Sequence, residues 1–304
     1  MKNLSRIACL CAVVAVLPMW AVGAGSKSKR KMIDIIWVWG IAEPIGAYDI
    51  GKEPLLATTE PAQFAQADSQ SKAAILGVRN VVMAGSGLPN NRQVAEKLSK
   101  QISSMKRIAW ELTPDSGEKG PFVYTQKLEI LKALKAQYSQ VDAVSIDDML
   151  TSQYRNGLRP EHVAVLRRQV QAIPGLKMWG IVYSKNLNDP LLKEYLQILD
   201  AVNFWVWEAE EVRNLDQRFT AMEKLAKGMP IVLGLYMYDY GKNRKMPREL
   251  MQLQCDMALK LAKEGRIEGI VFLSVNNDGD TISWTRDWIK KVANERVGKG
   301  GGTR

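Results

Sequence analysis

The sequence predicts an α/β chain closed as a (β/α)8 barrel, the architecture of a TIM barrel. Three observations predict it. Short β-branched or aromatic runs recur along the chain, each followed by a polar loop and an amphipathic stretch. The runs are apolar almost throughout, as expected of parallel strands buried on both faces. Eight such units fit into roughly 270 residues, the length such a barrel needs.

The strands read in order as Met32–Trp39, Asn80–Ala84, Arg107–Leu112, Ala143–Ile146, Lys177–Tyr183, Ala201–Trp207, Ile231–Tyr238 and Gly269–Val275. The spacing between them leaves the dozen or so residues that a parallel crossover requires. Polar, Ala-rich Glu60–Ser71 belongs to the first helix or to a long first loop. Leu128, Leu131 and Leu134 mark the helix before the fourth strand. Pro160 opens a helix with Val163, Leu166 and Val170 on its apolar face. Asn214 caps one that buries Leu215, Phe219, Met222 and Leu225 and stops at Gly228. Pro247 opens one with Leu250, Leu253, Met257 and Leu261 inward and Gly265 as its stop. Asn276-Asn277-Asp278-Gly279-Asp280 lacks calcium-loop spacing, because the Gly comes too early and no Glu closes it. It reads as a turn with Gly279 in a left-handed position. An open doubly wound sheet is the alternative. That fold leads from its first strand into a Gly-rich turn, and here the segment is Trp39-Gly40-Ile41-Ala42-Glu43-Pro44.

Of the 304 residues, 46% are hydrophobic and 24% charged, which excludes a disordered chain. Beyond the N-terminus no run approaches the ~20 apolar residues of a membrane span, which excludes a multi-span protein. The net charge of +10 is concentrated at the ends: residues 1–31 hold six basic residues and no acid, and Lys299 and Arg304 lie in the tail. The nearly neutral body between them gives no expectation of a nucleic-acid partner. Lys2 and Arg6 precede an apolar run from Ile7 to Val22, and small residues follow. Residues 1–24 therefore read as a signal peptide cut after Gly23 or Ala24, with an uncleaved anchor as the alternative. A basic linker, 25–31, would follow, then a barrel over 32–297 and a low-complexity tail, 298–304. The expected location is secreted or periplasmic, with no stable membrane insertion after cleavage.

Cys9 and Cys11 lie in the leader, so only Cys255 would persist. It can form no internal disulfide, and no Cys/His zinc cluster is possible. No metal or other cofactor is expected. The single histidine, His162, falls in the first turn of a helix and reads as a surface residue. Catalysis would then rest on carboxylates, tyrosines or lysines.

In such a barrel the reactive groups sit at the C-terminal ends of the strands. Read in that order, the chain offers Trp39 and Glu43, then Ser86, Glu111, the pair Asp147-Asp148, and Tyr183 with Lys185. Trp205, Trp207 and Glu208 follow, then Tyr236, Tyr238, Asp239 and Tyr240, and last Ser274, Asn276, Asn277 and Asp278. Aromatic faces stack on the C–H faces of sugar rings, and carboxylates bind hydroxyls. Glycosidic cleavage needs two carboxyl groups about one bond, one of them kept protonated. The candidate catalytic residues are therefore Asp147, Asp148, Glu208 and Asp239. The candidate substrate-binding residues are Trp39, Glu111, Tyr183, Trp205, Trp207, Tyr236, Tyr238 and Asn276. The simpler alternative for the Asp pair is a helix cap with Arg155 or Arg159 as its partner. Trp110 and Trp179 are mid-strand and read as packing.

The stretch Ile146-Asp147-Asp148-Met149 is similar to the adjacent aspartates of the O-GlcNAcase-like β-N-acetylhexosaminidases. That resemblance implies that Asp147 orients a substrate acetamido group and Asp148 is general acid/base. Asn203-Phe204-Trp205-Val206-Trp207 resembles their strand-six Trp segment, departing from it at Glu208 and Ala209. The chain also resembles clan D α-galactosidases in placing carboxylates at strands four and six, here Asp148 and Glu208. Both resemblances imply the (β/α)8 glycoside hydrolase superfamily, with a carbohydrate as the partner. The alternatives are a non-catalytic carbohydrate-binding barrel and a carboxylate-metal hydrolase using Asp147, Asp148 and Asp239.

Overall fold

The computed structural model describes residues 30–41, 57–85, 87–112, 124–151, 158–274 and 276–298. Eight parallel strands close into a barrel. They are β1 (Ile36–Ile41), β2 (Asn80–Ala84), β3 (Arg107–Glu111), β4 (Val141–Ile146), β5 (Lys177–Tyr183), β6 (Ala201–Trp205), β7 (Ile231–Tyr236) and β8 (Gly269–Leu273). Closure is made by β8, which pairs with β7 on one side and β1 on the other, so the open doubly wound alternative is excluded. Among the described residues a helix follows each strand: α1 (Ser69–Leu76), α2 (Arg92–Gln101), α3 (Tyr124–Gln137), α4 (Pro160–Gln171), α5 (Leu192–Leu196), α6 (Leu215–Ala226), α7 (Arg248–Lys263) and α8 (Gly279–Val292). No helix among the described residues is long and apolar enough to cross a membrane. The expected leader, most of the linker, Glu43, Ser86, Arg155 and the tail after Gly298 lie outside the described residues.

Alternation along each strand sends one set of side chains into the lumen and the other against the helices. Trp37 of β1 meets Trp179 of β5 edge to face, with ring centroids 5.2 Å apart. Those strands stand on opposite sides of the ring, so this contact spans the lumen and fills it. The Arg107 guanidinium lies 4.7 Å above Trp37 and is paired with Asp142, which closes the lower end. Arg30 and Lys31, assigned to the linker by sequence, instead pair antiparallel with Val297 and Arg296. The Met32 N–H adds a bond to the Glu295 carbonyl at 2.9 Å. Trp110 is fully buried on the helix-facing side of β3.

Several local expectations are corrected. The buried stripe of α7 is Leu250, Met251, Gln254, Cys255, Ala258, Leu261 and Ala262. Leu253 lies outside that 3.6-residue stripe and is exposed. A 3-10 turn, Ala209–Asn214, precedes α6, so Asn214 makes no side-chain cap, and the left-handed residue ending the helix is Lys227. Gly279 is the first residue of α8 rather than a left-handed turn residue. Strands β6 and β7 end before Trp207 and Tyr238. After β7 the chain forms a hairpin in which Tyr238–Asp239 pairs with Arg244–Lys245.

One glycine is required by packing. A Cβ on Gly234 of β7 would come within 1.9 Å of the Trp205 indole, which lies across that strand fully buried. Gly234→Ala is expected to lower stability by about 1–3 kcal/mol through overpacking. The denaturant midpoint measures it, and an unchanged midpoint would mean that Trp205 does not occupy this position.

Candidate active site

Asp147 follows β4 in phase with the lumen-facing Ser145, so its carboxyl turns inward at the C-terminal mouth. Its Oδ1 accepts two hydrogen bonds, from the Asp148 backbone N–H at 2.7 Å and from the Tyr183 hydroxyl at 3.0 Å. Burial pushes this carboxyl up to about 6, and the charge of Asp148 pushes the same way, against the two hydrogen bonds. Asp148 takes a left-handed backbone conformation, φ 52, which Asp and Asn tolerate better than other side-chain-bearing residues. The Thr151 N–H and hydroxyl both donate to its carbonyl at 2.9 Å and lock the reversal.

The two acids face two phenols. Burial, then Asp147, raise both Tyr183 and Tyr236 far above the usual phenol range, and Asp148 contributes to each. Both hydroxyls are therefore permanent donors beside the acid pair. Arg159, a candidate partner for these acids, pairs instead with Glu161 at 3.2 Å.

An aromatic wall rises beside the pair. Trp39 stands edge-on to Trp205 at 5.8 Å, and Trp205 contacts Tyr236 at 4.7 Å. Trp207 joins Tyr183 and Tyr236, each at 5.7 Å, and Tyr240 at 5.4 Å. Tyr240 also touches Tyr236 at 4.8 Å and Tyr238 at 5.3 Å. Tyr240 was not among the candidate site residues. The alternation that groups it with Tyr236 and Tyr238 was the signal that marks it. The Tyr238 hydroxyl is committed to Asn243 Oδ1 at 2.6 Å, inside the hairpin.

The remaining candidates lie as follows. Glu111 is buried, and its Oε2 accepts the Gly85 N–H at 2.9 Å, which anchors the loop after β2. Glu208 is exposed and packs its Cγ beside Gly241. Asp239 is buried, but its Oδ2 accepts from Arg244 Nε at 2.9 Å and its Oδ1 from the Lys242 N–H at 3.2 Å. With its charge neutralised, Asp239 is built as a brace for the hairpin that carries Tyr240. Asn276 is exposed in a turn closed by its N–H on Ser274 Oγ at 3.1 Å. The wall and the Asp pair are thus brought together, whereas Glu208 and Asp239 form a separate cluster on the rim.

Because the folded-state value of Asp147 lies above its ordinary 3.8, the folded chain binds this proton more tightly than the unfolded chain. The group costs nothing below both values, and the cost grows as pH rises through about 6, reaching about 3 kcal/mol. Asp147→Asn is therefore expected to be more stable than the parent at pH 8, by about 1–3 kcal/mol, and close to it at pH 4. Denaturant unfolding at the two pH values measures this; equal stabilities at pH 8 would contradict the burial of a charge at 147.

No protein-family model matches the chain, and no curated protein matches it. Solved structures with the same barrel include the spore cortex-lytic enzyme SleL of Bacillus megaterium QM B1551, with 11% identity over 90% of this chain and 76% of that one, TM-score 0.52. The SleL of Bacillus cereus matches at 10% identity over 86% and 75% of the two chains, TM-score 0.52. A family 99 endo-alpha-mannosidase from Bacteroides thetaiotaomicron matches at 12% identity over 85% and 97%, TM-score 0.54. At these identities the likeness is one of fold, a (β/α)8 barrel of the kind found among glycoside hydrolases.

Proposed function

We propose that the protein is an exported enzyme of the glycoside hydrolase type, cleaving a glycosidic bond with Asp147 and Asp148 at the barrel mouth. One observation carries the reading: a half-buried aspartate held up to about 6, beside a second aspartate, under an aromatic wall. Breaking a glycosidic bond requires a proton for the leaving oxygen and negative charge for the oxocarbenium-like centre. A carboxyl held up to about 6 beside a second carboxyl group can supply both. Asp148, at the turn, takes the general acid/base role that its likeness to the adjacent-aspartate enzymes implies. Asp147, fixed by Tyr183, is the inner carboxylate that orients the substrate or stabilises the developing charge. The half-buried Trp39 and Trp207 offer ring faces to the sugar, Trp205 and Tyr236 back them from below, and Glu208 lies where it can bind hydroxyls on the rim. The barrel shared with an endo-alpha-mannosidase supports this by analogy of fold alone.

The neutralisation of Asp239 by Arg244 favours a second reading, a barrel that binds carbohydrate without cleaving it, because it removes one candidate for the opposing carboxylate. It also weakens a metal-dependent hydrolase built on Asp147, Asp148 and Asp239. Among the described residues no three His, Cys, Asp or Glu side chains stand close enough to hold a metal ion.

A panel of glycans and aryl glycosides tests the proposal. Asp148→Asn keeps a residue suited to φ 52, so it is expected to fold normally and to lose about 10²–10⁴-fold in turnover. Turnover unchanged in this variant overturns the assignment. Binding by the parent without turnover of any member selects the second reading.

A further inference from the structure

The basic side chains of the hairpin after β7 are spent on acids. Arg244 pairs with Asp239 and Glu210, Lys242 with Glu210, and Lys245 with Asp278 and Asp280. Lys185, after β5, differs. Its ammonium lies 5.3 Å from the Tyr183 ring centroid and 5.4 Å from that of Trp207, and it is exposed. Among the described residues no carboxylate stands within ion-pair distance of it. Its position is built rather than incidental. Lys185 belongs to the 3-10 turn Ser184–Asn186, and the buried Asn186 side chain accepts the Tyr183 N–H at 3.1 Å, fixing that turn to the end of β5. Tyr183 in turn donates to Asp147 at 3.0 Å, so the cation is two residues along the chain from a partner of the acid pair.

A lysine held over two ring faces gains a modest attraction from them and keeps its hydrogen-bonding capacity on the outer side. A charge beside aromatic rings, with no carboxylate partner among the described residues, acts on anions more strongly than one surrounded by open water. We propose that Lys185 is a specificity residue for an anionic glycan, binding a carboxylate of a saccharide seated beside the half-buried Trp207. The inference rests on the carbohydrate reading of the site and adds the class of carbohydrate: an acidic sugar polymer in place of a neutral one. Its role is in binding; the proton exchange stays with the Asp pair.

The test uses carboxylated oligosaccharides, namely hyaluronan, oligogalacturonate and muramate-containing glycan tetrasaccharides, each beside its carboxyl-reduced counterpart. Binding is measured calorimetrically to the full-length protein and to Lys185→Gln, at 20 mM and 300 mM salt. At least one acidic form is expected to bind about tenfold more tightly than its reduced form at low salt. That advantage is expected to shrink at high salt, as screening requires, and to vanish in Lys185→Gln while the reduced form binds both proteins equally. An acidic preference that survives the substitution overturns the proposal. So does equal binding of acidic and reduced forms by the parent, or the binding of none of the acidic forms. The outcomes separate this inference from the activity it extends. A Lys185-dependent acidic preference without turnover leaves the inference standing and removes the hydrolase. Turnover of neutral glycans with no acidic preference does the reverse.

Discussion

Closure of the sheet between β8 and β1 is the constraint on which everything else depends. It turns strand ends far apart in sequence into neighbours on one ring. The lumen must then be filled, and it is filled across its full width by Trp37 against Trp179. Above that plug the side chains become polar and aromatic together. Closure also dictates the glycine at 234, because an indole as large as that of Trp205 can lie over its neighbouring strand only where no Cβ intervenes.

The mouth is where the chain departs from what stability alone would select. A half-buried aspartate beside another aspartate and a left-handed non-glycine residue each cost free energy. These costs are gathered within a few residues of one another, at the end of the barrel where such folds carry their chemistry. The acidic cluster formed by Glu210, Asp239, Arg244 and Lys242 shows the opposite logic: its charges cancel, and the product is a rigid hairpin that holds Tyr240 on the wall. Concentrated uncancelled charge, rather than the number of acids on the rim, distinguishes the Asp pair.

Much of this was legible in the sequence. The strands stand out because both faces are buried, so apolar runs are unbroken between turn residues, and Asp147 could be aimed inward by counting in twos from Ser145. The helix faces were less legible. In α7, Leu253 is as apolar as its neighbours, yet lies off the buried stripe, while polar Gln254 is buried because its amide donates to the Tyr236 carbonyl at 2.7 Å. Strand ends were overrun at Trp207 and Tyr238, since β-prone residues continue past the last barrel hydrogen bond. The same overrun concealed the hairpin after β7, and with it the cross-strand pairing that gives Asp239 to Arg244. Lys185 was visible as a strand-end residue, but only the rings brought together by folding show what holds it.

The account turns on the ionisation of one carboxyl, which a titration of the ¹³C-labelled aspartate side chains by NMR observes directly, with Asp147→Asn to assign the signal. The account predicts an aspartate resonance, absent from Asp147→Asn, that titrates near pH 6 and that moves higher still in Tyr183→Phe, where a hydrogen bond to the charged form is lost. Aspartate resonances that all titrate near or below the ordinary 3.8, or a resonance at 147 indifferent to Tyr183, would contradict it.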